Sequence, residues 1–136
     1  MNHSIPLRVY YEDTDSGGVV YHANYLKFAE RARTELLRSL GFGNKSLQEQ
    51  EGIIFVVRHI EADYLKPAFL DCSLQLRSEV LDIKNASIVL QQNVFREDDL
   101  ICAMKVVLVC VDEKELKTAR LPDDIKNGFE KYRNKG

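Results

Sequence analysis

Tyr10-Tyr11-Glu12-Asp13-Thr14-Asp15-Ser16-Gly17-Gly18-Val19-Val20-Tyr21-His22-Ala23-Asn24-Tyr25 decides how this chain is to be read. A short β-type run, Leu7 to Tyr11, precedes it, and the longest helical pattern of the sequence follows it. The stretch is therefore a strand-to-helix connection. It concentrates carboxylates, tyrosines, a histidine and a Gly-Gly pair, far more polar chemistry than turning the chain requires. Gly17-Gly18 opens backbone angles closed to other residues and allows another group to approach closely. From about Ala23 or Asn24 to Leu40, Tyr25, Ala29, Ala32, Leu36 and Leu40 recur at spacings of three and four, one face of an α-helix. Arg31 and Glu35 stand four apart on its polar side, and Gly41 and Gly43 end it.

Beyond the helix, Ser46-Leu47-Gln48-Glu49 reads as a capping box that opens a short helix ending at Gly52. Ile53 to Leu65 is a strand closed by Pro67. Asp71 to Ile83 alternates apolar and polar residues, as a half-buried strand does. Ala86 to Phe95 is a further strand, turned at Glu97-Asp98-Asp99 into Leu100 to Val111. That last strand is continuously apolar from Val106 to Val111, which predicts a central strand covered on both faces. A final helix starts at Pro122-Asp123-Asp124 and runs to about Arg133, its acidic start and basic end matching the helix dipole. Strands joined by short polar turns pair antiparallel, so the fold class is α+β: one dominant helix against an antiparallel sheet.

The 136 residues fit one domain, 1–136, and suffice for a real core. A net charge of −2 without any basic block argues against nucleic acid. Cys72, Cys102 and Cys110 are scattered in apolar runs, as buried reduced thiols of a cytoplasmic protein would be. No signal peptide or transmembrane segment is expected. His3, His22 and His59 have no metal-ligand spacing, so no metal is expected. No Gly-x-Ser-x-Gly elbow, dinucleotide fingerprint or P-loop occurs.

The chemistry centres on the connection. An isolated loop aspartate is most often merely solvated. Asp15, beside Gly17-Gly18 and ahead of a helix, could also attack a carbonyl carbon or activate water as a general base. Asp13, two residues away on an extended segment, points to the other side. It is read as structural, accepting backbone N–H groups in the turn. Unpaired N–H groups at the helix start, in the region Gly18, Val19 and Tyr21 or just beyond, would stabilise an oxyanion. The competing reading is a helix end capped by Asn24 or by Asp15 itself. Tyr21 helps to line the site mainly through its backbone. Arg58, Lys66, Arg77 and Lys84 could meet the phosphates of a ligand, but each reads more readily as a solvated strand or turn charge.

Together with Phe28-Ala29-Glu30-Arg31-Ala32-Arg33, the opening stretch resembles the signature of hotdog-fold acyl-CoA thioesterases. Within them it is most similar to the Tol–Pal-associated, YbgC-like branch of the 4-hydroxybenzoyl-CoA thioesterase family. The resemblance implies a sheet of about five strands wrapped around the long helix. It makes Asp15 the catalytic aspartate, with His22 and Tyr11 in supporting catalytic roles. It implies hydrolysis of an acyl-CoA, or of an acyl-carrier-protein thioester, without a separate cofactor. A homodimer or homotetramer joined sheet to sheet follows, with the site at the dimer interface. So does a cytoplasmic protein, with association at the inner membrane face and a link to phospholipid or envelope metabolism as further implications. Two alternatives stand beside it: a hotdog hydratase or dehydratase, and a non-catalytic acyl-thioester binder.

Overall fold

The computed structural model describes residues 2–133. Five strands, β1 (His3–Arg8), β2 (Ile53–Tyr64), β3 (Ser73–Ile83), β4 (Ser87–Arg96) and β5 (Asp99–Asp112), form one sheet. The sheet is antiparallel throughout, in the order β1-β3-β4-β5-β2. Helix α1 (Asn24–Ser39) lies between β1 and β2 in the chain. A short helix, α2 (Asn44–Ser46), widens into a further turn over Leu47–Glu51. Helix α3 (Asp123–Glu130) follows the last strand.

Helix α1 buries Tyr25, Phe28, Ala29, Ala32, Leu36 and Leu37, the stripe that its sequence spacing defines. Opposite lies the alternating inner face of the sheet, with Leu74, Leu76, Leu90, Val94 and Met104 all 3% exposed or less. One polar group interrupts this interface. Gln92 of β4 is fully buried, and its amide donates to the Ala29 carbonyl at 3.1 Å and to Ser78 Oγ at 3.0 Å. Both donors of that amide are thereby satisfied, which a buried polar group requires.

Several boundaries differ from the sequence reading. The first strand is His3–Arg8 rather than Leu7 to Tyr11, because Tyr11–Asp13 closes into a 3-10 turn. Ser46 is not a cap: it has helical angles inside a turn that starts after Gly43, so the capping box is absent. The helix does stop at Gly52, which takes the left-handed angle (φ 66°). Strand β3 starts at Ser73, since Asp71 adopts φ 69° in the preceding turn. Strand β5 is interior, but β4 holds the middle of the sheet. Consecutive residues of β5 are buried at 101–102 and again along 108–111, where the return segment runs alongside and Ala119 donates to the Cys110 carbonyl at 2.9 Å. Glu35 pairs with Arg38 rather than Arg31, whose guanidinium lies over the Phe28 ring instead. Helix α3 ends at Glu130, so Lys131 and Arg133 lie beyond its last turn.

Candidate active site

The connection from β1 to α1 is built around Asp13. Its carboxylate is buried, 7% exposed, and accepts the Tyr10 N–H at 2.9 Å. Its carbonyl accepts the Tyr21 N–H at 2.9 Å and the Asn24 side-chain amide at 2.8 Å. One residue thus ties the start of the loop to its end and to the first turn of α1. The structural role read for Asp13 is the observed one.

Asp15 stands on the rim of what Asp13 organises. Its N–H donates to the Val19 carbonyl at 2.9 Å, and Gly18 N–H donates back to the Asp15 carbonyl at 3.1 Å. This closes a tight loop in which Gly18 takes φ 81°, an angle that favours glycine. Oδ1 of Asp15 accepts the Gly17 N–H at 2.8 Å, and the side chain is otherwise exposed. A Cβ at Gly17 would come within 3.3 Å of that Oδ1, so glycine lets the carboxylate sit close to the backbone. The loop is pinned to the rest of the fold by Val20, whose N–H donates to the Ala68 carbonyl at 2.8 Å.

His22 is exposed at the entrance to α1. Its ring lies 4.5 Å from that of Tyr21 and 5.9 Å, edge to face, from that of Tyr64 on β2. Tyr25 lies 5.7 Å from Tyr64 in turn. Val19, His22, Tyr25, Tyr64 and Lys66 line a pocket of about 210 Å³. Burial pushes the Tyr25 hydroxyl up to about 12, so it stays a protonated donor at any working pH. Tyr11 is 81% exposed. Among the described residues, no hydrogen bond joins the side chains of Asp15, His22 and Tyr11.

The backbone donors are distributed differently from the expectation. Gly18 and Tyr21 spend their N–H groups inside the loop, on Asp15 and Asp13, and so have none to offer a substrate. Among the described residues, the N–H groups of Val19, His22 and Ala23 have no protein acceptor. Helix α1 has no side-chain cap: Asn24 reaches back to Asp13, and Asp15 turns to Gly17. The start of the helix therefore keeps its partial positive charge without a side-chain cap, beside an aromatic pocket.

Tyr25, Tyr64 and Lys66 line this pocket; of these the sequence reading singled out only Lys66, as one of four cations that read more readily as solvated charges. Periodicity assigned Tyr25 to the buried face of α1, which is correct, since it is 4% exposed. Nothing in a spacing pattern says that the far end of a core tyrosine reaches a pocket. Tyr64 and Lys66 arrive from a segment 42 and more residues downstream of His22, and only the return of β2 alongside the loop brings them there. Among the described residues, no group of three or more His, Cys, Asp or Glu side chains could hold a metal ion. No helix among them is long and apolar enough to cross a membrane.

Comparison with known proteins bears on the family and the fold. The family described as the thioesterase-like superfamily matches residues 9–129. An acyl-CoA thioesterase YbgC of Haemophilus influenzae is 44% identical over 126 residues, covering 93% of each chain. The acyl-CoA thioester hydrolase YbgC of an Escherichia coli O6:H1 strain is 45% identical over 121 residues, 88% of this chain and 90% of that one. Among solved structures, a probable thioesterase from Bartonella henselae superposes with a TM-score of 0.86 at 38% identity, over 90% of this chain and all of the other. With a five-stranded antiparallel sheet, the strand-to-helix connection in place and relatives matching along nearly its whole length, this chain belongs to the thioesterase-like superfamily and has the hotdog fold.

Proposed function

We propose that this protein hydrolyses acyl-CoA thioesters to a carboxylic acid and free coenzyme A, with Asp15 as the reacting carboxylate. The observation that carries the proposal is an uncapped helix start on the same connection as Asp15. The Asp15 side chain accepts one backbone N–H, and among the described residues the N–H groups of Val19, His22 and Ala23 have no protein acceptor. Those donors suit the oxygen of a thioester, which gains negative charge as the carbonyl is attacked. His22, with its ring against Tyr21 and Tyr64, is placed to orient water or the leaving thiolate. Tyr11, fully outside the single chain, contacts the substrate or the carboxylate from the solvent side. Gly18 and Val19 shape the approach, and Tyr21 contributes its ring.

Two routes use the same groups. As nucleophile, Asp15 forms an anhydride with the acyl group, expels the thiolate and is regenerated by water. As general base, it takes a proton from water that attacks directly. A single turnover in oxygen-18 water tests for the first route, since only attack of water on the aspartyl carbonyl of the anhydride leaves the label in the Asp15 side chain. The relatives named above support acyl-CoA as the carrier. The resemblance alone supports acyl carrier protein as a second carrier, a cytoplasmic location and the envelope link.

The working form is a homo-oligomer built on dimers. Asp15, His22 and Tyr11 are all exposed on the single chain, so the site lacks a wall. Strand β2 forms one edge of the sheet, twelve residues long with Val56 and Val57 exposed at 38% and 45%. Long apolar edges are ordinarily covered. A screen for thiol release over a panel of acyl-CoAs tests the activity. Absence of release from every member, with coenzyme A thioesters still bound, would leave the binder reading in its place.

A further inference from the structure

Asparagine commonly caps a helix start by accepting an N–H of the first turn on its side-chain oxygen. Asn24, the first residue of α1, donates instead. It is 8% exposed, and its Nδ2 donates to the Asp13 carbonyl at 2.8 Å. A carbonyl only accepts, so it is the amide nitrogen that faces Asp13. The same carbonyl takes the Tyr21 N–H at 2.9 Å, which uses both of its lone pairs. Asp13 is itself fixed, its carboxylate accepting the Tyr10 N–H.

Tyr21 and Asn24 are also joined directly, the Asn24 N–H donating to the Tyr21 carbonyl at 2.9 Å. Between them lie His22 and Ala23. Their carbonyls accept the N–H groups of Tyr25 at 3.4 Å and Leu26 at 3.2 Å, and Ala23 has helical angles. Their own N–H groups have no protein acceptor among the described residues. Free N–H groups at a helix start point along its axis, away from the helix body. Two adjacent donors are thus bracketed by two residues tied to one buried carbonyl. His22 also lines the pocket shared with Tyr25 and Tyr64. A buried amide on a backbone carbonyl often does no more than hold a turn. Here the connection is already closed by Tyr21 on Asp13, Asp15 on Val19 and Val20 on Ala68. What Asn24 adds is the orientation of the helix start against that connection, together with the loss of a cap.

We infer that Asn24 is a positioning residue: by bonding back to Asp13 it leaves α1 uncapped and aims the N–H groups of His22 and Ala23 at the thioester oxygen. The inference rests on the reading of this connection as a thioesterase site. Asn24 acts only through the two donors.

The test is thiol release by the intact protein over a range of acyl-CoA concentrations. In Asn24→Ala, kcat should fall by at least about tenfold, as misplaced oxyanion donors imply. KM should change by less than about threefold, because the interaction lost belongs to the transition state. Asn24→Asp keeps the shape, but its carboxylate cannot donate to the Asp13 carbonyl and brings negative charge to the helix start. Its kcat near neutral pH should lie below that of Asn24→Ala. Burial and the facing carbonyl raise the pKa of the introduced carboxyl. Protonation restores a donor, so the kcat of Asn24→Asp relative to wild type should rise as pH is lowered from about 8 to about 5. The same ratio for Asn24→Ala should stay flat. A residue that only holds the fold would show neither the split between kcat and KM nor this rescue. Melting curves identify the folded variants. If Asn24→Ala does not fold, Asn24→Ser takes its place with the same expectation. If Asn24→Asp does not fold, the split between kcat and KM decides alone. Failure of both Asn24→Ala and Asn24→Ser to fold would make Asn24 a folding residue and overturn the inference. So would a kcat within about twofold of wild type in the folded variant, a loss carried by KM, or a flat ratio for folded Asn24→Asp. Absence of thiol release from the wild-type protein would overturn the proposed hydrolysis itself, and this inference with it.

Discussion

Asp15→Asn isolates chemistry from architecture, because the structure shows how little of the fold depends on the charge of Asp15. The side chain is exposed and makes one hydrogen bond, from Gly17 N–H to Oδ1 at 2.8 Å. An asparagine Oδ1 accepts that bond equally well, so stability should change by less than about 0.5 kcal/mol. Basicity and nucleophilicity are lost entirely. Removal of general-base work alone costs on the order of 10² in kcat, equivalent to about 2.7 kcal/mol of barrier. KM should move little if coenzyme A is held elsewhere. The assay is thiol release from an acyl-CoA, followed with a melting curve of the same preparation. Asp13→Asn is the paired control with the opposite profile. Its carboxylate is buried and accepts Tyr10 N–H, so the amide should cost roughly 1–2 kcal/mol, or about 4–8 °C in melting temperature. Near-normal turnover by Asp15→Asn, or loss of activity only in step with unfolding, would refute the catalytic assignment.

Three further outcomes are expected. His22→Ala should lower kcat by about tenfold, less than Asp15→Asn, because orientation contributes less than the reacting group; equal losses would make His22 a reacting group itself. Dilution to a regime where sedimentation shows only monomer should abolish turnover, whereas full activity in a proven monomer would remove the partner from the site. Stability should decline in alkali. Burial pushes the thiols of Cys102 and Cys110 from 9.0 up to about 12 and about 11, and the Tyr25 hydroxyl from 10.0 up to about 12. Unfolding then releases protons, so stability fully present below 9.0 is lost progressively as pH rises toward the folded values. A melting temperature that stays constant across that window would show that these groups are already solvated in the native protein.

Much of this protein is legible in its sequence because the signals are local. The stripe from Tyr25 to Leu37 specifies α1 and its buried face, since a helix places residues three and four apart on one side. Alternation specifies β3, and Pro67 and the acidic turn at Glu97 mark strand ends to within three residues. Asp13 is identifiable as a structural residue of the turn, whereas Asp15 stands out only through the motif as a whole, because a lone loop aspartate reads as solvated; Asp13 ends a 3-10 turn and does not lie on an extended strand. The capping box at Ser46 misled because the same residue types serve equally inside a turn that begins earlier, after Gly43.

Tertiary structure alone decided where distant groups meet. Tyr64 and Lys66 join His22 because β2 returns alongside the loop, pairing with β5 rather than with β1. Which N–H groups remain free was also beyond the sequence. Gly18 and Tyr21 are consumed by the bonds that close the loop, while Val19, His22 and Ala23 are left over. Each donor makes its bond to whatever carbonyl the folded loop brings within reach, and residue type carries no information about that. Arg33 makes the same point: in sequence it is one more charge on a helix, and only the packing of α1 over Gln92 leaves it half-buried on that side chain's amide oxygen.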